Sequence, residues 1–222
     1  MTLAPEAVRT MFDRIAPVYD AMNRVMTAGL DLRWRRIAAT AVVRAGDRVL
    51  DAACGTGDLA VADARAGAGH VIGLDFSERM LARAQRKAPW IEWVRGDLLA
   101  LPFPDGSFDA ATVGFGVRNT DLDRALAELR RVLRPGGRLA VLETTRPLGL
   151  LRPFYSLWFD RLVPLLGRLL PGGEAYAYLP ASAKRFPPAD ELAARLRAAG
   201  FDDVAYRRLG GSIVALHTGV AA

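Results

Sequence analysis

Cysteine and histidine are scarce in this chain of 222 residues: Cys54 is the only cysteine, and there are two histidines. A single cysteine excludes an intrachain disulfide and fits a protein of a reducing cytoplasm. Structural zinc sites take four ligands, mostly cysteine and histidine, so we expect no metal site.

Long apolar and long basic runs are also missing. No stretch of about 18 uncharged apolar residues exists, so no membrane-spanning helix is expected, and residues 1–10 show no charged-then-apolar signal segment. The net charge is +6, but the arginines are spread along the chain beside acidic residues. This spread argues against a nucleic-acid partner. The 51% share of hydrophobic residues favours one packed domain.

Apolar periodicity divides the chain into helices and strands. Residues 4–44 read as helical with a break near 27–29, and later helices are expected over 59–66, 77–87, 121–133 and 189–199. The predicted strands are Arg48–Asp51, His70–Asp75, Trp90–Arg95, Phe108–Val113, Arg138–Glu143, Val204–Leu209 and Ser212–Thr218. The alternation predicts an α/β fold with a seven-stranded, mostly parallel sheet, an antiparallel C-terminal hairpin and helices on both faces.

These elements suggest the organisation of one domain, 1–222. It would comprise an N-terminal helical cap (1–45), a core (46–147), a helical insertion (148–188), and a C-terminal helix and hairpin (189–222). In such a sheet, ligands bind beyond the carboxyl ends of the strands.

Polar and glycine residues cluster where the first four strands end. Glycines let a ligand approach the backbone, a carboxylate after the second strand can accept ribose hydroxyls, and one after the third can accept an adenine amino group. The candidate cofactor residues are Asp51, Gly55, Thr56, Gly57, Asp75, Phe76, Gly96, Asp97, Leu98 and Gly114. The glycine turn alone also satisfies a dinucleotide fingerprint, Gly55-x-Gly57-x-x-Ala60, and so leaves a nicotinamide enzyme and a plain structural bend open.

Taken together, Asp51-x-x-x-Gly55-x-Gly57, Asp75, Asp97 and the segment 101–109 resemble class I methyltransferases. The resemblance implies a Rossmann-like fold and S-adenosylmethionine as the cofactor.

Further segments are similar to the C-methyltransferases of quinone biosynthesis, which act on demethylmenaquinol and polyprenyl benzoquinols. The most specific is Phe115-Gly116-Val117-Arg118-Asn119; the others are 12–23, 34–36, 141–147, 176–182, 186–187 and 210–217. The sequence departs at Gly114, where the family often has a serine. The resemblance implies C-methylation of a reduced prenylated quinone and leaves naphthoquinol and benzoquinol rings open. The compact chain favours demethylmenaquinol.

That chemistry gives the motif residues expected roles. Arg118 is the candidate stabiliser of a phenolate and Asn119 would fix the same oxygen, although a surface ion pair is an alternative for Arg118. Tyr19, Asn23, Phe115 and Tyr178 are candidate substrate residues; helix capping or core packing would also explain the tyrosines and Asn23. His217 suits acid–base work or a structural role.

Residues 148–170 combine Leu, Phe and Trp with three arginines, a pattern typical of an interfacial helix. A cap helix or a homodimer contact fits equally. The expected location is the cytoplasm, with peripheral contact at the inner face of the membrane. Other readings stay open: a methyltransferase for another small acceptor, one for nucleic acid, or a non-catalytic cofactor-binding module.

Overall fold

The computed structural model describes residues 5–147 and 181–222, together with the isolated Arg161 and Leu165. Most of the predicted insertion, including Tyr178 and nearly all of 148–170, therefore lies outside the described residues. In the described part of the chain, no helix has the length and apolar character needed to cross a bilayer.

Three N-terminal helices precede a region in which strands and helices mostly alternate. The strands are β1 (Arg48–Ala52), β2 (His70–Asp75), β3 (Glu92–Arg95), β4 (Phe108–Gly114), β5 (Leu133–Thr144), β6 (Phe201–Leu209) and β7 (Val214–Ala221). The helices are α1 (Pro5–Ile15), α2 (Tyr19–Thr27), α3 (Leu30–Val42), α4 (Asp58–Arg65), α5 (Glu78–Lys87), α6 (Leu122–Val132) and α7 (Ala189–Ala198), with a 3₁₀ turn at Val117–Asn119 and a helical stretch at 181–185.

The seven strands form one sheet in the order β3-β2-β1-β4-β5-β7-β6. Strands β1 to β5 pair in parallel, and β7 runs antiparallel to both β5 and β6. This topology confirms the predicted fold class. It also brings the carboxyl ends of β1 to β4 to the same edge of the sheet.

Both faces of the sheet are buried, because side chains alternate between them along each strand. On β1, Leu50 packs in the cluster that contains α6 and α7, whereas Val49 packs in the cluster that contains α3 and α4. A third, smaller cluster joins α1 and α2 to Met80 of α5. The two N-terminal helices therefore lie over the end of the sheet where the polar residues gather.

Some boundaries differ from the predictions. The predicted break near 27–29 is confirmed: α2 ends at Thr27, and Ala28 adopts a left-handed conformation. A second break was not predicted: α1 ends at Ile15 because Pro17 disfavours helical backbone before it. Strand β5 begins at Leu133, which pairs with Phe108, and so starts before the predicted Arg138. Strand β6 begins at Phe201 because that ring is buried opposite Ala221, a signal hidden by the two aspartates that follow it.

Candidate active site

A cavity of about 470 Å³ lies at the carboxyl ends of β1 to β4. Most of the candidate cofactor residues predicted at the strand ends line this cavity. The predicted cofactor residues that line it are Gly55, Thr56, Asp75, Phe76, Gly96, Asp97, Leu98 and Gly114. Three other predicted residues also line it: Tyr19, Phe115 and Asn119.

Two carboxylates form the acidic half of the cavity, at the ends of β2 and β3. Asp75 accepts hydrogen bonds from the backbone N–H groups of Gly55 (2.8 Å) and Ser77 (2.9 Å). Asp97 accepts from Leu99 N at 2.9 Å. Burial raises the pKa of Asp75 to about 6, although the backbone hydrogen bonds from Ser77 and Gly55 act to lower it. Carboxylate oxygens at these two positions can accept hydrogen bonds from hydroxyl or amino groups.

The glycine turn between β1 and α4 approaches the cavity with its backbone. A methyl group on Gly55 would have only Tyr19 Cε1, at 3.9 Å, near it, so a ligand can lie against this peptide. Gly57 has another reason to be glycine: its φ is +83°, and a Cβ would lie 2.4 Å from the Trp93 ring. Gly57 thus packs the turn against β3 and does not line the cavity.

Asp51 also lies behind the turn and outside the cavity lining. Its side chain is fully buried, and its Oδ2 accepts from Ala60 N at 2.8 Å, which fixes the first turn of α4. Burial raises the pKa of Asp51 to about 8. The structure therefore supports a role for Asp51 in holding the glycine turn from below.

Helix α2 is fastened to the turn by ionic contacts. Asp20 accepts from the Thr56 hydroxyl and pairs with Lys87 Nζ at 2.8 Å, and Lys87 also contacts Asp58 at 2.7 Å. These contacts hold Tyr19 at the cavity wall. Asn23, the other candidate substrate residue of α2, is not among the lining residues.

Strained backbone occurs where the glycine turn meets the loop after β4. Ala53 (φ 56°) and Phe115 (φ 61°) are both left-handed although neither is glycine, and both line the cavity. Each such residue costs on the order of 1–2 kcal/mol. The strain is held by packing: a Cβ on Gly116 would lie 2.7 Å from Ala53 Cβ, so the two segments touch. Strain of this kind concentrates at functional sites.

Arg118 faces away from the cavity, into a buried ion pair. Its Nη1 donates to Glu143 Oε1 (2.7 Å) and to the carbonyl of Phe115 (2.8 Å), and both side chains are almost fully buried. The surface ion pair offered as the alternative is thus a buried one. In this arrangement Arg118 clamps the loop 115–119, and direct contact with a ligand stays a prediction. Asn119 does line the cavity, and its Oδ1 has no partner among the described residues.

Arg35 of α3 lines the cavity too, a placement that the sequence reasoning did not give it. Its guanidinium lies 5.2 Å above the centroid of the Phe115 ring. Its spacing from Asp31, four residues earlier on the same helix face, predicts an ion pair but not a place in the cavity.

His217 lies in the sheet and is not among the lining residues. Its Nε2 bonds to the carbonyl of Ala189 at 2.8 Å, the ring stacks on Tyr206, and burial lowers its pKa. These contacts favour the structural reading of His217 over acid–base work.

Solved structures share this fold. The chain superposes on a SAM-dependent methyltransferase from Thermotoga maritima with a TM-score of 0.71 and 21% identity, covering 96% of this chain and 99% of that one. It also superposes on the cyclase SpnF, with a TM-score of 0.75 and 20% identity, covering 99% and 97% of the two chains. A methyltransferase and a cyclase on one fold show that the fold by itself does not define the reaction.

Relatives found by sequence share a higher identity with this chain. The chain is 48% identical to a demethylmenaquinone methyltransferase of Thermus thermophilus, over 94% of this chain and 99% of the relative. It is 42% identical to a 2-phytyl-1,4-naphtoquinone methyltransferase of Synechococcus elongatus, over 96% of each chain. The model of the ubiE/COQ5 methyltransferase family matches residues 1–221. With the cavity at the strand ends and relatives matched along their whole length, the chain belongs to the ubiE/COQ5 methyltransferase family.

Proposed function

We propose that this chain transfers the methyl group of S-adenosylmethionine to a ring carbon of a reduced prenylated quinone, converting demethylmenaquinol to menaquinol. The observation that carries the proposal is the cavity itself. It joins an acidic half at Asp75 and Asp97 to a half formed by Phe115, Asn119 and Arg35. The relatives matched over the whole chain are named for naphthoquinone substrates, which favours that ring over a benzoquinol.

The acidic half fits the nucleoside part of the cofactor. Asp75 can accept the ribose hydroxyls, Asp97 can accept the adenine amino group, and Leu98 and Phe76 supply apolar walls. Gly96 packs closely against β2, because a Cβ there would lie 2.7 Å from Leu74 Cδ1. When bound, S-adenosylmethionine supplies an electrophilic methyl group.

The other half fits an aromatic acceptor. Phe115 offers a ring face, and Asn119 Oδ1 can accept a hydrogen bond from a phenolic hydroxyl. Ring carbons are weak nucleophiles, and a polarised or ionised phenol pushes electron density onto the ring. Positioning of the two reactants supplies much of the acceleration. Val8, Phe12 and Tyr19, which also line the cavity, add apolar walls that exclude water.

Contact with a membrane, a homodimer and a ring contact from Tyr178 stay predictions. The proposal requires that a soluble enzyme reach a substrate with a long prenyl tail. Residues 148–170 are our candidate for that contact.

The test is methyl transfer from labelled S-adenosylmethionine to short-tail demethylmenaquinol, with and without reductant. We expect labelled menaquinol only when the quinone is reduced, because only the hydroquinone has a phenolic hydroxyl to ionise. Equal labelling of the oxidised quinone would contradict the phenolate mechanism. Labelling of an unrelated small phenol but not of the quinol would favour another acceptor.

A further inference from the structure

Arg35 is a buried cation whose charge is poorly matched by its surroundings. Its relative exposure is 5%, and it lines the cavity. Its Nε has no hydrogen-bond partner among the described residues. Its ion pair with Asp31 spans 3.9 Å, longer than a hydrogen bond. A buried guanidinium with an unused donor is costly unless a ligand completes it.

The neighbouring carboxylates are already engaged with other groups. Asp31 accepts from Arg24 and from the Thr27 hydroxyl. Asp58 is held by Arg24 at 2.6 Å and Lys87 at 2.7 Å, and although burial raises its pKa, these cations keep that pKa below the usual value. These two carboxylates therefore balance Arg24 and Lys87 first. The charge of Arg35 also acts on Asp51, but burial raises the pKa of that carboxyl to about 8, so Asp51 is a weak counterion near neutral pH. Among the described residues, no carboxylate forms a hydrogen bond with Arg35 Nε.

The cavity wall is shaped around this guanidinium. A Cβ on Gly114 would lie 3.0 Å from Arg35 Nη1, so the missing side chain leaves room for the cation at the end of β4. Phe115, the next residue, presents its ring to the same guanidinium at 5.2 Å. Arg35 is thus held at the β4 end of the cavity, the opposite end from Asp97 on β3.

We propose that the Arg35 guanidinium binds an anionic oxygen of a ligand inside this cavity. Two sources share that chemistry: the carboxylate at the amino-acid end of the cofactor, and the phenolate of the acceptor. Arginine suits both, because it stays protonated and offers several donors in a planar fork. The inference rests on the proposed function only for the phenolate source.

Calorimetric titration separates the sources without turnover. S-adenosylhomocysteine carries the carboxylate, and 5′-methylthioadenosine lacks the amino-acid part. Each is titrated into the wild type, into Arg35→Gln, and into Arg36→Gln as a matched control on the exposed side of α3. If the carboxylate is the ligand, Arg35→Gln should lower the affinity for S-adenosylhomocysteine by about tenfold or more. Its affinity for 5′-methylthioadenosine should stay within about twofold of the wild-type value.

Turnover against pH tests the other source. If the phenolate is the ligand, both nucleosides bind Arg35→Gln normally, while turnover falls about tenfold and its pH profile moves upward, because the phenol ionises less readily without the cation. If Arg35→Gln matches Arg36→Gln in both arms, the proposal is overturned. If the wild type shows no turnover, the proposed function fails, and an unchanged affinity for S-adenosylhomocysteine then overturns the role of Arg35 as well.

A second variant guards against misfolding. Should circular dichroism show that Arg35→Gln does not fold, Arg35→Lys keeps the charge near Asp31 and loses the planar fork. Arg35→Lys should show the same selective but smaller loss, either of affinity for S-adenosylhomocysteine or of turnover. Wild-type behaviour of Arg35→Lys in both arms would count against the proposal.

Discussion

The two halves of the cavity are built by different kinds of contact. At β2 and β3, Asp75 and Asp97 each accept a hydrogen bond from a backbone N–H two residues later. At β4, the wall depends on residues far apart in sequence: Arg35 of α3 lies over Phe115, and Arg118 reaches Glu143 of β5. The acidic half is shaped mostly by short-range hydrogen bonds, with one longer-range bond from Gly55 N to Asp75, whereas the β4 half is shaped by packing across the fold.

This difference predicts how each half responds to mutation. Changes in the acidic half should act mainly by removing a ligand contact, together with the one hydrogen bond that joins Asp75 to Gly55 N. Changes in the β4 half should act through the contacts between residues. Mutating one residue should therefore have the same effect as mutating the residue that it contacts.

The largest effect is expected for Asp75→Asn. The variant loses a charged acceptor for ribose hydroxyls and weakens the hold on Gly55 N. We expect the affinity for S-adenosylhomocysteine to fall by about a hundredfold in calorimetry. Glu78→Gln is the matched control, because Glu78 is a nearby exposed acid paired with Arg95. Equal binding by the two variants would remove Asp75 from the cofactor site.

Arg118→Ala should lower turnover by at least about tenfold while cofactor binding is kept, because the loop with Phe115 and Asn119 loses its clamp. It should also lower the free energy of unfolding by about 3–5 kcal/mol, since Glu143 is left buried without its cation.

Glu143→Gln separates a clamp from a ligand contact. If Arg118 acts through the clamp, Glu143→Gln should also lower turnover. If Arg118 itself touches the acceptor, Glu143→Gln should retain most of the turnover while Arg118→Ala does not. Near-normal turnover in both purified variants would show that neither role matters.

The same contrast explains what the sequence could predict. Strand ends follow from apolar runs that stop at Asp75 and Asp97, and parallel topology brings those ends to one edge, so the acidic half could be placed by residue number. Arg35 could not, because nothing local shows that α3 passes behind β4. The clamp of Arg118 was missed for a similar reason: Glu143 lies 25 residues later, on the neighbouring strand.

Asp51 and Gly57 illustrate a second limit. Their spacing was correct for the glycine turn, but spacing does not tell which side of a turn a side chain faces. Asp51 points back to Ala60 N, and Gly57 packs on Trp93. Residues that support a ligand-binding turn and residues that line it share the same sequence pattern.

We expect a moderate effect of pH on ligand binding, and it should come from Asp75. Because burial raises the pKa of Asp75 to about 6, its carboxyl should gain a proton as the pH falls below that value and lose its strength as an acceptor. We expect the affinity of the wild type for S-adenosylhomocysteine to fall by about tenfold between pH 7 and pH 5. In Asp75→Asn this dependence should flatten, and a slope as steep as that of the wild type would assign it to another group.

The last effect concerns a carboxyl that is closed to the cavity, and it is an effect on stability, not on ligand binding. Asp63 is fully buried and accepts from the Thr112 hydroxyl at 2.7 Å; burial, followed by the charge of Asp51, raises its pKa well above the ordinary value. The folded state therefore keeps a proton that the unfolded chain releases near pH 4, so stability should decline as the pH rises above about 4. One such group contributes at most about 1.4 kcal/mol per pH unit.

Asp63→Asn tests this contribution, because it cannot titrate while its amide oxygen can still accept from Thr112. The free energy of unfolding of this variant should decline less steeply between pH 5 and 8 than that of the wild type, and Asp51 should account for the decline that is left. Urea unfolding at several pH values measures this, with the exposed Asp105→Asn as the control; equal slopes for Asp63→Asn and the wild type would mean that Asp63 is ionised in the folded protein.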